Sequence, residues 1–253
     1  DGNGLIDDVN GWNFIDNNNQ LYTGKEDNHG THAAGTIAAS RNNGGSVGIT
    51  DNQYVKIMSI KALGGEEGKG SPESVIAAIR YAEANGAQIC NLSFGSENCT
   101  EEFRAAIQGS KMLFVVAAGN GNEDEIGYNI DQNPVYPASL PYDNIITVAN
   151  LIFNGKLDRS SNFGPASVDI AAPGTFILST IPDKSYAFMS GTSMAAPMVA
   201  GAAAMLYSAR PELSLQDVRN ILITSAHKLD TLNGRVYSGG MLDVYSALQW
   251  ARQ

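Results

Sequence analysis

Residues 112–119 read "MLFVVAAG", and the fold turns on how this stretch is interpreted. Its apolar residues follow one another without the polar interruptions of a half-exposed strand, and the run stops at a glycine. A strand covered on both faces has this pattern, and such strands belong to parallel sheets flanked by helices. Outward from it, "AQICNLSF" (87–94), "IITVAN" (145–150) and "VDIAAP" (168–173) have the same character. "GWNFI" (11–15) and "VKIMSIKAL" (55–63) are two further strand candidates. Helical patterns lie between and after them. "SPESVIAAIRYAEAN" (71–85) opens on Ser-Pro-Glu, a helix start signal, and "TEEFRAAIQ" (100–108) on a Thr cap followed by two acids. "SMAAPMVAGAAAMLYSA" (193–209) is small and apolar nearly all round, which predicts a buried helix. "SLQDVRNILITSA" (214–226) and "DVYSALQWARQ" (243–253) are amphipathic. Strands alternating with helices predict an α/β fold of three layers, with a mostly parallel sheet and helices on both faces. No internal repeat or linker interrupts the 253 residues, so a single domain over 1–253 is expected.

A formal net charge of −10 offers no basic face to nucleic acid phosphates. No run of 18 or more apolar residues is present, so no membrane span is expected. No signal peptide is visible, and the opening "DGNGLIDD" reads as an interior point of a longer precursor. Of the two cysteines, Cys90 sits in an apolar run and reads as a small core residue. A Cys90–Cys99 disulfide stays open at this level.

Ligands of open parallel sheets bind beyond the carboxyl ends of the strands. The chemistry-bearing residues gather at such places: "NLSFG" (91–95) and "AAGNGN" (117–122) follow strands, and "SGTSMAAP" opens the buried helix. Taken singly, Ser193 reads equally as a helix N-cap, and His29 in "EDNHGTHAAG" (26–35) as a turn histidine. Together with Asn120 they supply a nucleophile, a base to take its proton, and a donor for an oxyanion.

"HGTHAAG" (29–35) and "GTSMAAPMVAG" (191–201) resemble the histidine and serine signatures of the subtilisin-like serine proteases. "VVAAGN" (115–120) is similar to the segment carrying that family's oxyanion asparagine, and the likeness runs in order along essentially the whole chain. The resemblance implies a serine endopeptidase forming an acyl-enzyme, with Ser193 as nucleophile, His29 as general base and Asn120 as oxyanion donor. His32 is assigned a structural place in the same helix. The substrate would be a peptide or unfolded protein, bound as a strand between "GKGS" (68–71), with Gly68 and Gly70, and "NLSFG", with Ser93, Phe94 and Gly95. The pocket for the residue before the scissile bond would be walled by Ser93–Gly95 and Ala117–Gly119, with Val135 at its floor. Glu123, Asp124, Glu125 and Asp131 adjoin it, as a solvated acidic loop or a preference for basic residues. The resemblance also implies a cis Tyr136–Pro137 bond and an extracellular location. No cofactor is required for the chemistry. Structural calcium is implied at Asp1, Asn3 and Asp7 of the opening turn and at Asn42, an acidic glycine turn being the alternative.

The family's third catalytic member is an aspartate in a strand ending Asp-Thr/Ser-Gly, and no such motif stands before His29. Asp1, Asp7, Asp8 and Asp16 belong to other turns, and Asp27 is expected to cap the helix of His29. The carboxylate is therefore expected upstream, in an N-terminal segment missing from this chain. Its strand would lie between those at 55–61 and 87–93. Without it, those two are expected to close up and pair, or to receive a second copy or retained peptide. A pseudoprotease or peptide-binding module is the alternative function. A nucleotide-binding domain lacks support, since no G-x-G-x-x-G turn follows the first strand.

Overall fold

The computed structural model describes residues 3–42, 44–50, 52–64, 68–122 and 124–252. The strand at Leu113–Ala117 (β4) lies inside a sheet with Ile89–Leu92 (β3), Ile145–Leu151 (β5) and Ile170–Pro173 (β6). These four run parallel in the order β3-β4-β5-β6. The sheet continues through two short strands, Gly240–Met241 (β10), parallel to β6, and His227–Lys228 (β9), antiparallel to β10.

The absence of polar alternation in 112–119 has a direct cause. Met112, Phe114, Val116 and Ala118 enter one core, against Val75, Ile76 and Ile79 of the helix Pro72–Ala84 (α2) and Phe103 and Ile107 of Glu101–Gln108 (α3). Leu113, Val115 and Ala117 enter the other, against the helices Thr192–Ala209 (α4), Leu215–Thr224 (α5) and Val244–Trp250 (α6). Both faces of the strand are covered, so every position is apolar. The expected three-layer architecture is present. Ser71 and Thr100 cap α2 and α3 as expected, accepting from Ser74 N–H and Phe103 N–H.

The expected strand at 55–63 is shorter, Ser59–Lys61 (β2), and pairs in parallel with Gly11–Asn13 (β1). β1 and β2 form a sheet of their own, so β2 and β3 do not close up and pair as one of the sequence expectations held. β2 is fastened to its own sheet: Phe14 N–H extends the β1 pairing by donating to Lys61 O at 2.8 Å, and Lys61 Nζ pairs with Asp27 at 2.7 Å.

The hairpin Ile177–Ile181 (β7) and Ser185–Met189 (β8) stands outside both sheets. It packs on the helix Asn28–Ala38 (α1), which in turn packs on α4. Cys90 and Cys99 are free thiols, and burial pushes the Cys90 thiol up to about 12. Among the described residues, no helix is long and apolar enough to cross a membrane.

Candidate active site

Ser193 is the second residue of α4. The cap position falls to Gly191, whose φ of 143° suits glycine, so Ser193 is half-buried in the first turn and does not cap. Its surroundings follow from Pro197, four residues on. A helix would ordinarily close Ser193 C=O with the N–H at 197, but proline has none. The free carbonyl instead accepts from Ser93 Oγ at 3.1 Å, and Ser193 Oγ donates back to Ser93 C=O at 3.1 Å. Asn91 Nδ2 donates to Ser93 Oγ at 2.9 Å and fixes its orientation. The exit of β3 is thereby fastened to the first turn of α4.

The exit of β4 is fastened to the same turn. Asn120 Oδ1 accepts from Thr192 N–H at 2.8 Å and from Thr192 Oγ1 at 2.9 Å. A backbone N–H can only donate, so the atom facing it is the amide oxygen, and Nδ2 is turned outward as a donor. A Cβ on Gly191 would lie 3.1 Å from that nitrogen, which puts Nδ2 beside the start of α4. Thr192 Oγ1 also accepts from Gly119 N–H at 3.1 Å. Among the described residues, neither Asn120 Nδ2 nor Ser193 N–H has a hydrogen-bond acceptor. Asn162 braces the turn from behind. It donates to Ala118 C=O at 3.0 Å and accepts from Gly121 N–H and Tyr128 N–H, each at 3.1 Å.

His29 lies in the first turn of α1 with an exposed side chain. The protein around its ring still desolvates it, and this burial holds the imidazole below the usual histidine range. Among the described residues its ring has no hydrogen bond, so Ser193 Oγ is bonded to Ser93 and not to His29. The carboxylates before His29 in the chain have other partners. Asp16 accepts from Asn13, and Asp8 from Asn3 and Tyr81. Asp27 does not cap α1, contrary to expectation. Its carboxylate accepts from Thr23 N–H at 2.7 Å, Gly24 N–H at 3.3 Å and Lys61 Nζ at 2.7 Å. Burial raises its pKa, but these partners outweigh burial and leave it lowered.

Of the expected pocket residues, Gly95 and Gly119 lie near Val135. Its Cγ1 would lie 2.8 Å from a Cβ on Gly95 and 4.0 Å from one on Gly119. Gly95 is thus needed for the close approach of Val135, while Gly119 is required by Asn162, whose Nδ2 a Cβ would meet at 2.5 Å, and by its φ of 97°. Ala117 is buried as the last residue of β4, and Phe94 packs half-buried on the α2–α3 core. Gly68 and Gly70 lie in the turn after β2, where a Cβ on Gly70 would meet Ala62 C=O at 2.3 Å. Ser96 and Tyr136 exchange backbone hydrogen bonds, and the Tyr136–Pro137 peptide is cis. Beyond the Gly121 turn, a cavity of about 560 Å³ is lined by Glu97, Asn122, Tyr128, Asn133 and Pro134. Of the acidic loop, Asp131 is used structurally, accepting from Ala166 and Ser167 N–H, and Glu123 lies outside the described residues.

A family model described as "Subtilase family" matches residues 1–240. The chain belongs to the subtilases. It is 35% identical to Subtilisin DY of Bacillus licheniformis over 245 residues, covering 95% of this chain and 84% of that protein. It is 38% identical to the major intracellular serine protease of Bacillus subtilis (strain 168), covering 81% of this chain and 63% of the relative. It is 34% identical to Subtilisin-like protease 1 of Plasmodium berghei (strain Anka), covering 98% of this chain but 43% of that protein. Among solved structures, proteases from Pseudoalteromonas arctica PAMC 21717 match with a TM-score of 0.74 at 30% identity. That match covers 88% of this chain and 70% of the other.

The calcium expected of this subtilase finds no gathered ligand set. Among the described residues, no group of three or more His, Cys, Asp or Glu side chains is placed to hold a metal. Asn3 Oδ1 accepts from Leu5 N–H at 2.8 Å, and Asn3 Nδ2 donates to Asp8 at 2.8 Å. Asp7 and Asn42 adopt positive φ of 59°, as turn residues do, and Asp1 lies outside the described residues. Sequence reasoning missed Thr192, Asn162 and Asn91. Thr192 and Asn162 act through partners distant in the chain, and Asn91 through a Ser93 that is itself engaged one hundred positions away, which no local pattern reveals.

Proposed function

We propose that this chain is the catalytic domain of a serine endopeptidase that cleaves peptides or unfolded proteins, with Ser193 as nucleophile and His29 as general base. Ser193 Oγ attacks the carbonyl carbon of the scissile bond while its proton passes to His29 Nε2. The oxyanion takes hydrogen bonds from Asn120 Nδ2 and Ser193 N–H. Collapse breaks the C–N bond as the imidazolium gives its proton to the departing amine, leaving an acyl-enzyme that water hydrolyses by the same route. The observation that carries this reading is the pair of donors without acceptors beside Ser193, one of them held by Thr192. Donors preset for developing charge are what acyl transfer requires. The substrate backbone would lie between the segments of Gly68–Gly70 and Ser93–Gly95, with the side chain before the scissile bond directed at Val135. A valine at that floor shortens the pocket and disfavours large aromatics.

We further propose that the carboxylate orienting His29 comes from a strand upstream of Asp1 in the parent protein. That strand would lie between β2 and β3, which belong to different sheets and do not pair with each other among the described residues. Loss of such an aspartate costs a subtilisin about 3 × 10⁴ in turnover. The test is peptidase activity on an unfolded substrate, comparing the parent protein, this chain alone, and the parent with Ser193→Ala. Activity is expected in the parent, with only a trace in the other two. An active Ser193→Ala protein would remove serine catalysis, and full turnover by this chain alone would remove the upstream carboxylate. A parent without activity would favour the peptide-binding alternative.

A further inference from the structure

His32 lies one helical turn beyond His29 and is fully buried. Its Nε2 is 2.9 Å from Ile177 C=O on β7 and 3.2 Å from Ala187 C=O on β8. Carbonyl oxygens only accept, so Nε2 carries the proton and donates to both strands of the hairpin from a single atom. Nδ1 is buried with no partner, and protonating it would bury a charged donor without an acceptor. The ring thus has one tautomer available. The backbone around it is fastened to the same hairpin. Ser179 Oγ donates to His32 C=O at 2.8 Å, and Thr180 Oγ1 to Thr31 C=O at 3.1 Å. Gly35 allows the approach, since a Cβ there would lie 2.1 Å from Thr180 Oγ1.

β8 runs through only Ser190 and Gly191 before α4 and Ser193 begin, and Phe176 N–H donates to Ser190 Oγ at 2.9 Å. A continuous path therefore joins the helix of His29, through His32, to the hairpin that delivers Ser193. We propose that His32 is a positioning residue: its Nε2–H, shared between β7 and β8, fixes where the helix of His29 stands relative to Ser193. The proposal rests on Ser193 and His29 acting as nucleophile and base. A misplacement of about 1 Å costs such a pair about 10²-fold in rate.

The test is the rate at which a fluorophosphonate labels Ser193 in the parent protein, at a temperature where circular dichroism shows each variant folded. His32→Leu should label about 10²-fold more slowly. His32→Gln, whose amide nitrogen reaches the same carbonyls, should return to within about threefold, a loss smaller than that of one hydrogen bond. A folded His32→Leu protein that labels at the wild-type rate overturns the proposal. So does a His32→Gln protein as slow as His32→Leu. Failure of the wild type to label would instead count against Ser193 as nucleophile. Should His32→Leu fail to fold, ¹⁵N spectra of this chain, which has only three histidines, decide without reference to activity. His32 should show the Nε2–H tautomer with a slowly exchanging proton. The Nδ1–H tautomer, or rapid exchange, overturns the proposal.

Discussion

In the proposed reaction, Asn120 divides its two ends between holding and acting. Its oxygen is consumed by Thr192, and its nitrogen lies beside the first turn of α4 with no acceptor among the described residues. Asn120→Asp separates the two ends, because a carboxylate keeps the acceptor for Thr192 and removes the donor. The melting temperature should stay close to wild type while kcat falls by about 10²–10³, the loss found on removing one such donor in this family. A kcat within a few fold of wild type would take Asn120 out of the oxyanion site. Asn120, Ser193 and His29 could be named as candidates from the sequence because each stands in a short motif of fixed spacing. The engagement of Ser93 with Ser193 was not. It depends on a carbonyl left free by Pro197 and a hydroxyl one hundred positions away.

Elements were legible where their own residues decide them. Residues 112–119 read as a doubly covered strand because successive side chains of β4 enter two different cores. Phe114, fully buried among α2 and α3 residues, carries much of that packing. Phe114→Ala should lower unfolding stability by about 3–5 kcal/mol in chemical denaturation, and a loss below about 1 kcal/mol would mean the core collapses around the gap. The β7–β8 hairpin went unread, although "ILSTIPDKSYAFM" (177–189) contains its signal. Two strand-forming runs flank a turn in which Asp183 and Lys184 take φ of 62° and 56°, as in a tight hairpin turn. The β9 and β10 strands are two residues each, too short for any periodicity. The narrowing of 55–63 to Ser59–Lys61 matches the three residues that β1 offers for pairing.

At the scale of the whole molecule, the sheet is tied to α5 by one buried ion pair. Arg219 Nη2 meets Asp169 Oδ1 at 2.6 Å, and Arg219 Nε donates to Ile145 C=O at 2.9 Å. Burial pushes the Asp169 carboxyl up to about 6 against the pull of Arg219 and Thr147 N–H. Because the folded value is raised above the ordinary 3.8, its contribution to stability is full below 3.8 and is lost as pH rises through about 6. Asp169→Asn should flatten the pH dependence of stability across that window. Arg219→Met leaves a buried carboxylate unpaired and should cost about 3–5 kcal/mol at neutral pH. The loss should shrink below the Asp169 pKa, where the carboxyl is neutral, and an equal loss at both pH values would contradict the assignment.

At this scale two strand exits and one helix start converge on Ser193, the nucleophile proposed above. The most direct measurement is mass spectrometry of the parent protein after treatment with a fluorophosphonate, with the adduct mapped to a residue. A single adduct on Ser193, lost in His29→Ala and strongly slowed in Asn120→Asp, is the result this account predicts. No adduct, or an adduct on another residue with Ser193 unmodified, would contradict it.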